Sequence, residues 1–144
     1  MTTENKAPWH IWAVGIAMLL WNIIGCMNFS MTHLYPDIWL VGFTDEQRAY
    51  FMSFPQWANI AWACGVFGGF LGAAMILLRK RFALPLYLLS LAGLLISNIF
   101  HLIYAESVDL IGGAPGIAFT GFLALIALFQ IWYSRKMIAA GVLQ

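Results

Sequence analysis

The chain has 144 residues, of which 62% are hydrophobic and 9% are charged, and its formal net charge is +1. This composition excludes an ordinary soluble domain, which carries roughly 25% charged residues, and a disordered chain, which lacks so much apolar surface. No run of like charges is longer than three residues, so nucleic acid is not expected as a partner. The composition predicts an integral membrane protein with one domain, residues 1–144.

Four segments are long and apolar enough to cross a bilayer, since a spanning helix needs roughly 20 mostly apolar residues. They cover residues 11–33, 57–78, 82–104 and 116–133, and none of them contains a charged side chain. The first is too long for the apolar part of a secretory signal peptide, so we expect a retained helix. The pattern predicts an all-α bundle of four transmembrane helices, because lipid offers backbone groups no other partner.

Charged residues divide between the two sides of this four-span arrangement. Six of the seven basic residues fall on the side of the chain ends: Lys6, Arg79, Lys80, Arg81, Arg135 and Lys136. Arg48 falls on the other side, together with five of the six acidic residues. Since cytoplasmic loops carry an excess of Lys and Arg, we predict a multi-pass protein of the bacterial inner membrane with both termini in the cytoplasm.

The longest connection, residues 34–56, contains a helix start signal. Thr44 and Gln47 have the spacing of a capping box, in which a hydroxyl and an amide side chain each bind the other residue's backbone N–H. The residues that follow are amphipathic and end at Pro55. We predict a short helix on the outer membrane surface, which serves either as a connector between spans or as a lid over a cavity.

Small residues recur on one face of the second span. Ala61, Gly65, Gly68 and Gly72 advance by four, three and four residues, which is the spacing of the small-xxx-small pattern. Because glycine lets another backbone approach closely, this face is predicted to pack against a second helix. That helix belongs either to the same bundle or to another copy of the chain.

Polar side chains concentrate in the outer halves of the four spans. Such groups are costly in a membrane and turn toward the bundle interior. We predict a polar cavity open to the periplasm and bordered by His33, Asn59, Asn98 and His101. The alternative is that these groups only hydrogen-bond neighbouring helix ends together. A few polar residues lie deeper: Ser90, Gln130 and, near the middle of its span, Asn22.

His33 and His101 are predicted to lie at similar depth in their spans. Three interpretations remain open: two hydrogen-bonded histidines at the membrane surface, a haem b or metal site, and a pair that responds to pH. No further ligand spacing accompanies them, so we predict no metal and no cofactor, with haem as an alternative. The sequence also contains no recognisable nucleophile–base pattern and no carboxylate inside a span, so an enzyme is not predicted.

Several short sequence motifs of this chain occur together in one group of membrane proteins. They are Pro8-Trp9-His10-x-Trp12, Trp21-Asn22, Phe54-Pro55-x-Trp57, Trp62-Ala63-x-Gly65-Val66-x-Gly68-Gly69, Leu77-Leu78-Arg79-x-Arg81-x-Ala83-x-Pro85 and Ser90-Leu91. Over roughly residues 8–104 the chain thus resembles small four-span proteobacterial inner-membrane proteins that are labelled as sugar transporters. The resemblance implies a four-helix membrane protein.

Three functions fit these observations. The first is binding or transport of a small solute through the outer polar cavity by an oligomer. The second is a non-catalytic accessory subunit, whose glycine face docks on a larger membrane complex. The third is a membrane redox component with haem between His33 and His101. We predict the first, with membrane lipid as a partner in every case.

Overall fold

The computed structural model describes residues 7–104, 110 and 112–144, with the backbone alone for Tyr104. The helices in chain order are α1 (His10–Leu34), α2 (Pro36–Trp39), α3 (Asp45–Met52), α4 (Gln56–Leu77), α5 (Ala83–Tyr104) and α6 (Gly113–Ala139). Within these residues four helices, α1, α4, α5 and α6, are long and apolar enough to span a membrane. Helix α6 continues to Ala139, beyond the predicted end of its span at residue 133.

Helices α4 and α5 form the central pair of the bundle, with α1 packed on α4 and α6 packed on α5. The connection between α4 and α5 is so short that the two helices must be antiparallel neighbours. Arg79 reverses the chain there with φ of 57°, in the left-handed region that non-glycine residues seldom adopt. We call the end of the bundle that carries Arg79, Lys80 and Arg81 the basic end, and the opposite end, with α2 and α3, the acidic end.

The small-residue face of α4 lies against α5. A Cβ atom on Gly68 would stand 3.1 Å from the carbonyl oxygen of Leu86, and one on Gly72 would meet the ring of Tyr87. Gly93 of α5 approaches from the other side, since a Cβ on it would lie 2.5 Å from the backbone nitrogen of Gly65. The face that could dock on another copy or on a larger complex is therefore occupied by a helix of the same chain.

At the acidic end, the predicted capping box starts α3. The Thr44 hydroxyl accepts a hydrogen bond from the backbone N–H of Gln47 at 3.2 Å, and the Thr44 N–H donates to Gln47 Oε1 at 3.1 Å. Tyr50 and Phe54 then pack with Phe100 of α5 in a cluster of buried aromatic rings. This contact places α3 and the residues after it across the acidic end of α4 and α5.

The basic end is closed by residues that follow α6. Val142 and Leu143 are buried, and they belong to an apolar cluster. The backbone of Gln144 pairs with the α4–α5 connection, since its N–H donates to Arg79 O and its carbonyl accepts from Arg81 N–H, both at 2.9 Å. The other buried members of this basic-end cluster are Ile11, Ala73, Ile76, Ala83, Tyr87, Tyr133 and Met137.

Candidate functional site

A cavity of about 180 Å³ lies between α1, α4, α5 and α6. It exists because α1 and α6 each pack on the central pair but share few close contacts with one another. Its lining is mostly apolar, and none of the described residues that line it is charged. Besides the indoles of Trp21 and Trp62, the polar side chains in the lining are amides and hydroxyls: Asn22, Asn28, Ser90, Ser97 and Gln130.

Three of these side chains form what we call the deep polar group: Asn22, Ser90 and Gln130. Each is at least nine-tenths buried. Asn22 Nδ2 donates to the carbonyl oxygen of Met18 at 2.7 Å, and Gln130 Nε2 donates to Met18 Sδ at 3.4 Å. The Ser90 hydroxyl donates to the carbonyl oxygen of Gly65. Met18 therefore holds the two amides near each other, one from α1 and one from α6.

Glycine at position 69 makes room for this group. A Cβ atom there would collide with Asn22 Oδ1 and would stand 3.2 Å from Ser90 Oγ. Asn22 of α1 and Ser90 of α5 thus converge over the same point of α4. Because Gly69 has no side chain, the Asn22 side chain can lie in space that a larger residue at position 69 would occupy.

The two amide oxygens of the deep polar group can each accept a hydrogen bond from a ligand. Among the described residues, neither Asn22 Oδ1 nor Gln130 Oε1 receives a hydrogen bond. In the part of the chain that the structure describes, Arg48 Nε is the only fully buried side-chain N or O atom without a hydrogen-bond partner, so the two amide oxygens keep some accessible surface, at which a small molecule or water can donate to them. The arrangement favours a bound molecule that donates hydrogen bonds.

The wall of the cavity between α1 and α6 is partly open on the side of the bundle. Ile24 of α1 is 56% exposed and Phe119 of α6 is 55% exposed, and both line the cavity. Asn28, one helical turn beyond Ile24, is exposed as well. Closer to the deep polar group, the rings of Trp21 and Phe122 meet edge to face at 5.6 Å and bridge the two helices.

The four residues predicted to border an outer cavity lie outside this lining. The structure brings two of them together, since His33 Nε2 contacts Asn59 Oδ1 at 3.1 Å. His33 Nδ1 also contacts the carbonyl oxygen of Phe29 at 2.8 Å, so both ring nitrogens face oxygen atoms. Asn98 Nδ2 donates to the carbonyl oxygen of Leu94 within its own helix at 2.7 Å.

His101 is paired with Tyr50 of α3, a residue that the sequence pattern did not single out. The Tyr50 hydroxyl lies 2.7 Å from His101 Nδ1, and burial raises the pKa of Tyr50 to about 12. The phenol therefore keeps its proton near neutral pH and can donate it to the imidazole. This hydrogen bond ties α3 to α5.

The imidazoles of His33 and His101 are separated by aromatic rings. Ring centroids lie 5.6 Å apart for His33 and Trp62, 6.1 Å for Trp62 and Phe54, and 5.3 Å for Phe54 and His101. A haem held between two axial histidines needs both imidazoles to face one iron atom, and here each points to a different protein partner. Within the part of the chain that the structure describes, no group of three or more His, Cys, Asp and Glu residues could hold a metal ion.

Comparison with known proteins gives no relative: no family model, no curated protein and no solved structure matches this chain. The assignment of a function therefore rests on the chemistry of the cavity and of the residues around it.

Proposed function

We propose that this protein binds a small uncharged molecule in the cavity between α1, α4, α5 and α6. The proposal depends on one observation: Asn22 Oδ1 and Gln130 Oε1 accept no hydrogen bond from any described residue, and both residues line a mostly apolar cavity. An engineered cavity of ~150 Å³ admits benzene. The cavity of about 180 Å³ therefore has room for a ligand of similar or slightly larger size.

The lining favours a neutral ligand over an ion. None of the described lining residues carries a charge, and an ion moved from water into such a site without a partner would pay a large desolvation cost. Amide and hydroxyl groups instead complement an alcohol or an amide.

Binding is better supported than passage through the bundle. At the basic end, Val142 and Leu143 are buried in the apolar cluster. At the acidic end, Tyr50, Phe54 and Phe100 pack together. A molecule that crossed along the bundle axis would have to separate both of these clusters, one at each end, whereas a bound ligand leaves both in place.

The proposal is tested by filling the cavity. Ala127 lines it and is 6% exposed, so Ala127→Leu should place a larger side chain in the binding space. In thermal unfolding of the purified protein, benzyl alcohol is expected to raise the melting temperature of the original protein in a saturable way. The variant should bind it roughly tenfold more weakly or worse, a loss of about 1.4 kcal/mol.

The matched control is Ala118→Leu, an exposed position on the same helix that does not line the cavity. It should bind benzyl alcohol as the original protein does. Benzoate, of similar size but charged, should give no saturable shift. Equal binding by the two variants, or no binding of the alcohol by the original protein, would contradict the proposal.

We also propose that the acidic end faces the periplasm, with α3 at that membrane surface and both chain ends in the cytoplasm. The proposal rests on the separation of charges along the sequence. Asp45 and Lys80 are exposed at opposite ends of the bundle, and each can be replaced by cysteine after Cys26 and Cys64 are changed to alanine. A membrane-impermeant maleimide should label position 45 on intact cells and position 80 only after lysis. The reverse pattern would overturn this orientation.

A further inference from the structure

We infer that the ligand is an uncharged single-chain amphiphile with a hydroxyl head, which enters from the bilayer between α1 and α6. Its head would lie at the deep polar group, and its chain would leave the cavity between Ile24 and Phe119. This inference rests on the proposed binding function and names the class of ligand.

Along α6 the lining changes from polar at Gln130 to apolar at Leu123 and Phe119, while Asn28 of α1 adds one polar side chain near the opening. At the closed end, Asn22 and Gln130 are 9% and 3% exposed, and their amide oxygens lack donors among the described residues. At the opening, Ile24 and Phe119 are more than half exposed. On α6, Gln130 and Phe119 are eleven residues apart, which corresponds to ~16 Å of helix. A molecule with one polar end and one apolar chain matches this order.

The opening lies on the side of the bundle, away from the helix ends. Ile24 is ten residues from the end of α1 at Leu34, and Phe119 is six residues from the start of α6 at Gly113. These separations correspond to ~15 Å and ~9 Å along the helices, in a bilayer whose hydrocarbon core is ~30 Å thick. The opening therefore faces acyl chains, and a ligand dissolved in the membrane reaches it without crossing either closed end.

The chemistry of the ligand's head group follows from the two amide oxygens, Asn22 Oδ1 and Gln130 Oε1, that accept no hydrogen bond from a described residue. Each of the two carbonyl oxygens accepts a hydrogen bond; a hydroxyl has one O–H and can donate to one of them at a time, whereas a carboxylate has no donor. A carboxylate would also find no cationic partner among the described lining residues. The volume of about 180 Å³ favours one chain over the two chains of a phospholipid.

The inference is tested with photoreactive probes in vesicles. The full chain is reconstituted in phosphatidylcholine, and a dodecanol with a diazirine in mid-chain is compared with the equivalent dodecanoate. Irradiation followed by peptide mass spectrometry should give adducts on Ile24, Phe119 or Leu123, which also lines the cavity. Excess dodecanol should suppress these adducts, and excess dodecanoate should require roughly tenfold higher concentration for the same effect.

A variant of Gln130 tests the proposed contact between the ligand's hydroxyl head and the deep polar group. Gln130→Leu removes one of the amide oxygens and should weaken suppression by dodecanol by roughly tenfold. Asn98→Leu is the matched control, because Asn98 is also a polar residue within a span but bonds only inside its own helix and does not line the cavity. The comparison of alcohol with carboxylate in the original protein needs no variant, so it stays decisive even if Gln130→Leu fails to fold.

The outcomes separate this inference from the proposed function. Saturable, alcohol-selective adducts at the opening support both. A second outcome is that benzyl alcohol stabilises the original protein but not Ala127→Leu, while dodecanol adducts spread evenly over exposed positions such as Leu125. In that case the cavity binds a small solute, and the inference that an amphiphile enters from the bilayer is wrong. If neither probe binds saturably, both proposals fail.

Discussion

One methyl group added at Gly93 is expected to destabilise the protein by about 1–3 kcal/mol, the usual cost of forcing extra volume into a packed interior. The new Cβ would collide with the carbonyl oxygen of Ala61 and would lie 2.5 Å from the backbone nitrogen and 2.9 Å from the Cα atom of Gly65. Backbone atoms of a helix cannot turn aside as a flexible side chain can. Helices α4 and α5 would therefore have to separate, and close backbone approach is what stabilises helix pairs in a membrane.

Gly121→Ala on α6 is the control for this prediction. An added Cβ there has nothing within 4 Å, and alanine has the higher helix propensity. Thermal unfolding of Gly93→Ala and Gly121→Ala in the same detergent should show a clear drop for the first and no drop for the second. If the two variants unfold at the same temperature, α4 and α5 are not packed as closely as described.

The contrast between Gly93 and the glycines of α4 shows what a sequence pattern can reveal. Ala61, Gly65, Gly68 and Gly72 repeat within one helix, so their shared face follows from helix geometry alone. Gly93 lies three residues after Ser90 and four before Ser97, which is a shorter run of small residues, and the backbone that it approaches is known only when a second helix is placed against it. Hydropathy likewise predicts the four long helices, because each must be apolar along its length regardless of its neighbours.

The position of the cavity could not be predicted in the same way. Residue counting gives the depth of a side chain, but its partner depends on how each helix is rotated and which helix lies beside it. His33 contacts Asn59, Asn98 bonds within its helix, and His101 reaches Tyr50. Tyr50 belongs to α3, and the hydropathy of the spans does not predict that α3 packs on α5.

The deep polar group was visible in the sequence as an exception. Asn22, Ser90 and Gln130 interrupt the otherwise apolar inner and central parts of their spans. Their convergence depends on Gly69, which leaves room for Asn22 beside Ser90, and on Met18, whose backbone carbonyl accepts from Asn22 and whose thioether sulfur accepts from Gln130. Neither residue type predicts such a role by itself, since glycine and methionine are ordinary packing residues in membrane helices.

Leu143→Ala is expected to lower the free energy of unfolding by about 2–5 kcal/mol, as truncation of a buried leucine usually does. Leu143 is 2% exposed and belongs to the cluster that contains Ile11, Ile76 and Tyr87. These residues come from α1, α4 and α5. Leu143 thus joins the chain that follows α6 to the other three long helices, and a smaller side chain would leave a void where all four meet.

The matched control is Leu125→Ala, a leucine of α6 that is 66% exposed on the bundle surface. Lipid or detergent can fill the space that this truncation leaves, so little stability should be lost. Chemical or thermal unfolding in one detergent measures both variants against the original protein. If Leu143→Ala proves no less stable than Leu125→Ala, residues 142–144 do not seal the basic end. The pairing of Gln144 with Arg79 and Arg81 would then be a surface contact, and a path for solutes along the bundle axis would become tenable.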